Sequence, residues 1–160
     1  MAISLHALEL ENRSIGAHGE PTLAAAYVIL CDAWWNGDRD RELALHLMFL
    51  CWYMLIEPPH ITGLDEGRLP SSELVRVFNG VYDFMAPGSE ADPEFLYVVG
   101  LMSALAPWLL GDNDTWGQRS RDYQDKYWEL KPTGLDPAFF DGRGFYGHYF
   151  AGQARVAGGY

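Results

Sequence analysis

The chain has 160 residues, 49% of them apolar and 14% aromatic, with 22 acidic against 11 basic side chains and a formal net charge of −11. A chain of this length can bury about 70% of its unfolded surface, so a core can form without disulfide or metal, and one domain over residues 1–160 is expected. The acidic excess argues against nucleic acid, where affinity comes from Lys and Arg neutralising phosphates, and favours a basic protein partner.

Residues 2–14 alternate like a strand at Ile3, Leu5 and Ala7 but also fit a helical turn, and with no later strand to pair they read as a short helix. Residues 14–19 form a loop, and Pro21 suits the first turn of a helix over residues 22–35, with Leu23, Tyr27, Leu30 and Trp34 on one stripe. Gly37-Asp38 ends it, and Asp38 or Asp40 can cap the next helix. From Leu43 to Ile56 the one clearly polar side chain is His46. A helix apolar on all sides must be covered on all sides, so this is the expected central helix, stopped by Pro58-Pro59.

Residues 60–70 read as a loop. From Ser71 or Ser72 an amphipathic helix places Leu74, Val77, Phe78, Val81, Tyr82 and Met85 at spacings of three and four, until Pro87-Gly88. Asp92-Pro93 opens an apolar helix reaching Leu110, which Pro107 should kink or shorten. After the turn at 111–114, residues 115–130 form a polar outer helix with Trp116, Tyr123, Tyr127 and Leu130 on one face. Residues 132–160 hold seven of the seventeen glycines, set among aromatics; a short helix over 145–156 and a frayed end at 158–160 are expected. The whole predicts an all-α, compact helical bundle of about six helices.

Shifting the chain by 74 residues superposes Trp34 on Trp108, Gly37 on Gly111, Asp38 on Asp112, Asp40 on Asp114, Tyr53 on Tyr127 and Pro58 on Pro132. This describes two related helical hairpins, each with a Gly-Asp turn and a proline stop. The pattern resembles tetratricopeptide-type hairpins. Where that family has a small residue five positions after the turn glycine, this chain has Glu42 and Trp116, and no function is carried over from the resemblance.

The search for chemistry finds little. Asp38-Arg39-Asp40 and Asp112-Asn113-Asp114 begin like calcium loops, but at the fifth, sixth and twelfth positions, where such a loop needs an oxygen ligand, glycine and glutamate, the first has Glu42, Leu43 and Phe49 and the second Trp116, Gly117 and Tyr123, so helix capping is the expected role. The histidines His6, His18, His46, His60 and His148 show no ligand spacing, and His46 is expected to be a neutral, hydrogen-bonded core residue. Neither a metal nor a cofactor is expected. Cys31 and Cys51, in apolar runs at different heights of a hairpin, read as free buried thiols that fit a reducing compartment. With no signal-peptide pattern and no stretch of the ~20 apolar residues that a membrane span needs, no membrane association and a cytoplasmic location are expected.

Two surface candidates remain. One is an acidic tip of Asp112 and Asp114 beside Trp116, the competing expectation being a Trp116 ring folded onto the core. The other is the segment 141–150, where Arg143, Tyr146, His148 and Tyr149 are candidates to line a site; the competing expectation is a tail packed into a groove. The leading expectation for function is protein binding, in concrete form an immunity protein or inhibitor that neutralises a toxin. The alternatives are an enzyme or small-ligand binder with its site in the C-terminal segment, and a homo-oligomeric structural protein using the 95–110 helix.

Overall fold

A computed structural model describes residues 3–158, and among them the regular structure is helical, with no strand. Seven helices of nine residues or more form the body: α1 (Leu5–Arg13), α2 (Leu23–Trp35), α3 (Arg41–Ile56), α5 (Ser71–Met85), α6 (Pro93–Leu105), α8 (Asn113–Leu130) and α9 (Gly144–Gly158). Two single turns, α4 (Pro59–Thr62) and α7 (Pro107–Leu110), start at prolines, and a 3-10 helix spans Pro137–Phe140. Prolines lack the N–H that the first helical turn leaves unpaired anyway, so they open helices at no cost in hydrogen bonds. The expected start of the first helix at residue 2 and the fraying of residues 159–160 lie outside the described residues.

The central position of α3 follows from its sequence. Every side chain from Leu43 to Trp52 is buried, as is Met54. α2, α5, α6 and α9 all pack against it. α1 lies across α2 and α9, and α8 packs along α6, presenting the polar face that its sequence requires. Aspartates fix the helix starts: Asp40 accepts from the Leu43 N–H, Asp92 from Glu94 and Phe95, and Asp112 from Thr115. Thr22 sits at the start of α2 but does not cap it; its hydroxyl donates instead to the Leu10 carbonyl and ties α2 to α1.

The two expected hairpins coincide in part. α3 and α8 end 74 residues apart, at Ile56 and Leu130. Their caps, Asp40 and Asp112, are not equivalent at that offset, and Pro107 forces Ala106 out of the helical region (φ −148°, ψ 70°), dividing the second copy's first helix into α6 and α7. That break turns Trp108 outward to 63% exposure while Trp34 is buried. Among the described residues no helix is long and apolar enough to cross a membrane.

Candidate functional site

The start of α9 is built over a carboxylate from the other end of the chain. Gly144 adopts a left-handed conformation (φ +69°), and a Cβ there would lie 2.6 Å from Glu11 Oε1. The absence of a side chain lets Glu11, buried on α1, sit beneath the helix N-terminus, where its Oε1 accepts the Tyr146 N–H at 3.2 Å. Its other oxygen accepts from His46 Nδ1 at 2.7 Å, and the His46 ring stacks on Tyr146 with centroids 4.6 Å apart. Arg143 donates to Glu42 from Nε (2.8 Å) and Nη2 (2.5 Å), and Nη2 also lies 2.6 Å from Glu94. The Tyr146 hydroxyl donates to Glu94 at 2.6 Å. Arg41 completes the chain of contacts, bonding Glu94 at 2.9 Å and Asp92 at 2.7 Å.

Four carboxylates, Glu11, Glu42, Glu94 and Asp92, thus face Arg41, Arg143 and His46. Burial pulls His46 toward the neutral form, but Glu11 and then Glu42 outweigh it and raise its pKa to about 9. This corrects the expectation of a neutral His46: the two carboxylates around the ring hold it as an imidazolium at neutral pH. For Glu42, burial favours the protonated acid, yet Arg143 and His46 prevail and bring its pKa down to about 2. Burial first, and then Glu94, push the Tyr146 hydroxyl well above its ordinary range. An imidazolium sealed in this way cannot serve as a general base near neutral pH. His46 Nε2 makes no hydrogen bond, but it lies 3.7 Å from Glu42 and so has a charge partner. The network is a latch joining α1, α3, α6 and α9.

The four candidates of the C-terminal segment do not converge on one pocket. Tyr146 is fully buried and Arg143 turns inward to its ion pairs, whereas His148 is exposed and Tyr149 half-buried. The helical period explains the split, since positions 146 and 150 face the core and 148 lies on the other side of the helix. His148 and Tyr149 line an open cleft of about 520 Å³ with Tyr53, His60 and the 14–19 loop. Arg143 borders a smaller depression of about 190 Å³, which His148 also lines.

At the acidic tip, Asp112 and Asp114 are exposed, and the Thr115 hydroxyl and N–H hold the Asp112 carboxyl below its ordinary pKa. Trp116 is not part of that surface. It is 2% exposed, edge-on to Tyr82 (4.8 Å) and Phe78 (5.6 Å), with the Arg119 guanidinium 4.6 Å from its ring centre. One turn into α8, position 116 faces α5, so the core claims the ring; the exposed indole near this tip is Trp108. Leu105 and Trp108 are the exposed large apolar side chains of the 95–110 stretch, most of which is consumed by packing.

A more extensive aromatic surface lies across α2 and α5. Val28, Asp32 and Trp35 share the outer stripe of α2, and Arg76, Gly80, Asp83 and Phe84 share that of α5. The stripes meet where Phe84 packs edge-on against Trp34 (5.4 Å) and Arg76 stands 5.2 Å from the Trp35 ring. Arg39 covers Trp34 at 3.8 Å and leaves Trp35 and Phe84 more than half exposed. The sequence signal for this face was the Trp34-Trp35 pair, of which one ring had to point outward. For the latch it was Glu42 and His46, four apart on one helix. Comparison of the chain with models of protein families, with curated proteins and with solved structures returned no match.

Proposed function

We propose that this chain is a protein-binding module whose partner is a basic protein, in concrete form an inhibitor or immunity protein that blocks a toxin. The observation that carries this reading is the α2–α5 face, where the exposed rings of Trp35 and Phe84 stand with the exposed carboxylates Asp32 and Asp83, and with Arg39 and Arg76 laid against the aromatic rings. Aromatic side chains held by their neighbours are the usual anchors of protein interfaces, and acidic groups around them select a basic partner and speed the encounter. The charge distribution supports the same reading. Arg13, Arg41, Arg68, Arg76, Lys126 and Arg143 are paired with carboxylates of the chain itself, which leaves acidic side chains in excess over the remaining basic ones.

The test is affinity capture from cells of the source organism at low salt with wild-type protein and with a Trp35→Ala/Phe84→Ala variant. Because both rings are exposed, the variant should fold normally. A basic protein retained by the wild type, lost by the variant and released by raised salt is the expected result. Retention of the same proteins by both forms, or of none by the wild type, sinks the reading.

A further inference from the structure

Away from the α2–α5 face, a trough runs over α6, α8 and α9. It consists of two adjoining cavities of about 240 and 440 Å³, which share Leu101 and Gln153. The walls are mostly apolar; Leu105, Trp128 and Val156 remain exposed around it, although side chains of this size normally seek cover. Tyr97 lines the first cavity and Trp52 the second.

These two side chains carry the argument. Tyr97 is 5% exposed and Trp52 2%, and neither the Tyr97 hydroxyl nor Trp52 Nε1 has a hydrogen-bond partner among the described residues. Burying an unpaired donor forfeits its hydrogen bond to water with nothing in return, and native proteins keep few of them. Neither ring is easily turned toward another partner. Tyr97 is packed on Tyr127 (4.7 Å) and against Phe140 and Phe150, and Trp52 lies between Phe49 (6.1 Å) and Tyr149 (5.7 Å). The hydroxyls nearest to that of Tyr97, on Tyr127 and Tyr149, make no hydrogen bond to it. The third orphaned atom of the core, His46 Nε2, has Glu42 as a charge partner, whereas these two have none.

The geometry points to the trough as a binding site for a neutral, mainly apolar small molecule that presents a carbonyl oxygen to Trp52 Nε1, with the Tyr97 side chain lining the adjoining cavity. An indole N–H can only donate, so the ligand atom must accept. The ligand is neutral because no charged side chain, basic or acidic, lines either cavity. The combination of an apolar enclosure and a few placed polar groups is that of small-molecule sites generally. Gln153, half-buried, borders both cavities.

Benzophenone is a suitable probe, with diphenylmethane as the same shape lacking the carbonyl and 4-benzoylbenzoate as an anionic counterpart. Binding is followed through the Trp52 indole N–H resonance, and irradiation of bound benzophenone maps the contact site by peptide labelling. The proposal expects benzophenone to shift the Trp52 resonance, to label peptides carrying Leu101 and Gln153, and to bind about tenfold tighter than diphenylmethane, the worth of one good hydrogen bond. Trp52→Phe should remove that preference while diphenylmethane still binds. Tyr97→Phe provides a second, smaller change should the first variant fold poorly. Equal affinity for the two neutral probes, labelling elsewhere, tighter binding of the anion, or a Trp52 N–H that exchanges with bound water and ignores benzophenone each overturn the proposal.

Discussion

Replacing Glu11 by Gln changes the latch at a single atom pair. The amide keeps the size of the carboxylate and an oxygen for the Tyr146 N–H, but the charge opposite His46 is gone. In the folded chain the His46 pKa stands at about 9 against an ordinary 6.5, a difference worth about 3 kcal/mol of stability. That figure agrees in size with the about 3–5 kcal/mol lost when one partner of a buried ion pair is removed. Because the folded value is the higher one, the contribution is complete below pH 6.5 and disappears as pH rises through about 9. Urea unfolding of wild type and Glu11→Gln, followed by tryptophan fluorescence between pH 6 and 10, should show curves about 3 kcal/mol apart at the acidic end. They should converge toward pH 10, and taking the difference cancels other groups that titrate in both proteins. A gap that does not change with pH, or a His46 ring proton that titrates near 6.5 by NMR, would refute the assignment of a buried imidazolium.

Three further outcomes follow from geometry already described. Glu42, its pKa lowered to about 2, contributes fully above its ordinary 4.5 and loses that contribution as pH falls, so wild type should weaken between pH 5 and 2 more steeply than Glu42→Gln in the same urea titrations. Trp116→Ala should cost about 3–5 kcal/mol, since it empties a buried site between Phe78 and Tyr82, while Trp108→Ala should stay within about 0.5 kcal/mol; denaturant midpoints decide both. Gly147→Ala would place a methyl group 2.2 Å from the Phe140 carbonyl oxygen and should lower stability by about 1–3 kcal/mol, with hydrogen exchange rising first in α9 and the 3-10 helix.

The helices were legible in the sequence because each carries its own local cause. Asp92-Pro93 starts α6, Pro107 ends it, and Leu74 to Met85 announce the buried side of α5 through their spacing. Trp116 shows the limit of that reasoning. Spacing places it on one face of α8 with Tyr123 and Tyr127 but does not say what covers that face; the ring is covered by Phe78 and Tyr82 of α5. His46 shows the same limit in charge. Its partner Glu42 stands one turn away on the same helix, but Glu11 arrives from 35 residues earlier, in a segment whose own pattern was ambiguous. Arg143 and Tyr146 were singled out for a glycine-rich setting, and the glycines do permit close approach, but what approaches is the chain's own Glu11.

The latch also has a consequence for how the chain comes off the ribosome. Glu42 precedes the arginine that neutralises it by 101 residues, and Glu11 precedes the N–H it caps by 135. During synthesis the apolar α3 is therefore completed long before the helix that neutralises the carboxylates at its edge. A nascent chain stopped short of Arg143 holds Glu42 without the guanidinium it bonds, although His46 and Arg41 on the same helix are already in place. The contacts of Arg143 and of the Tyr146 N–H are therefore the last of the latch to become available.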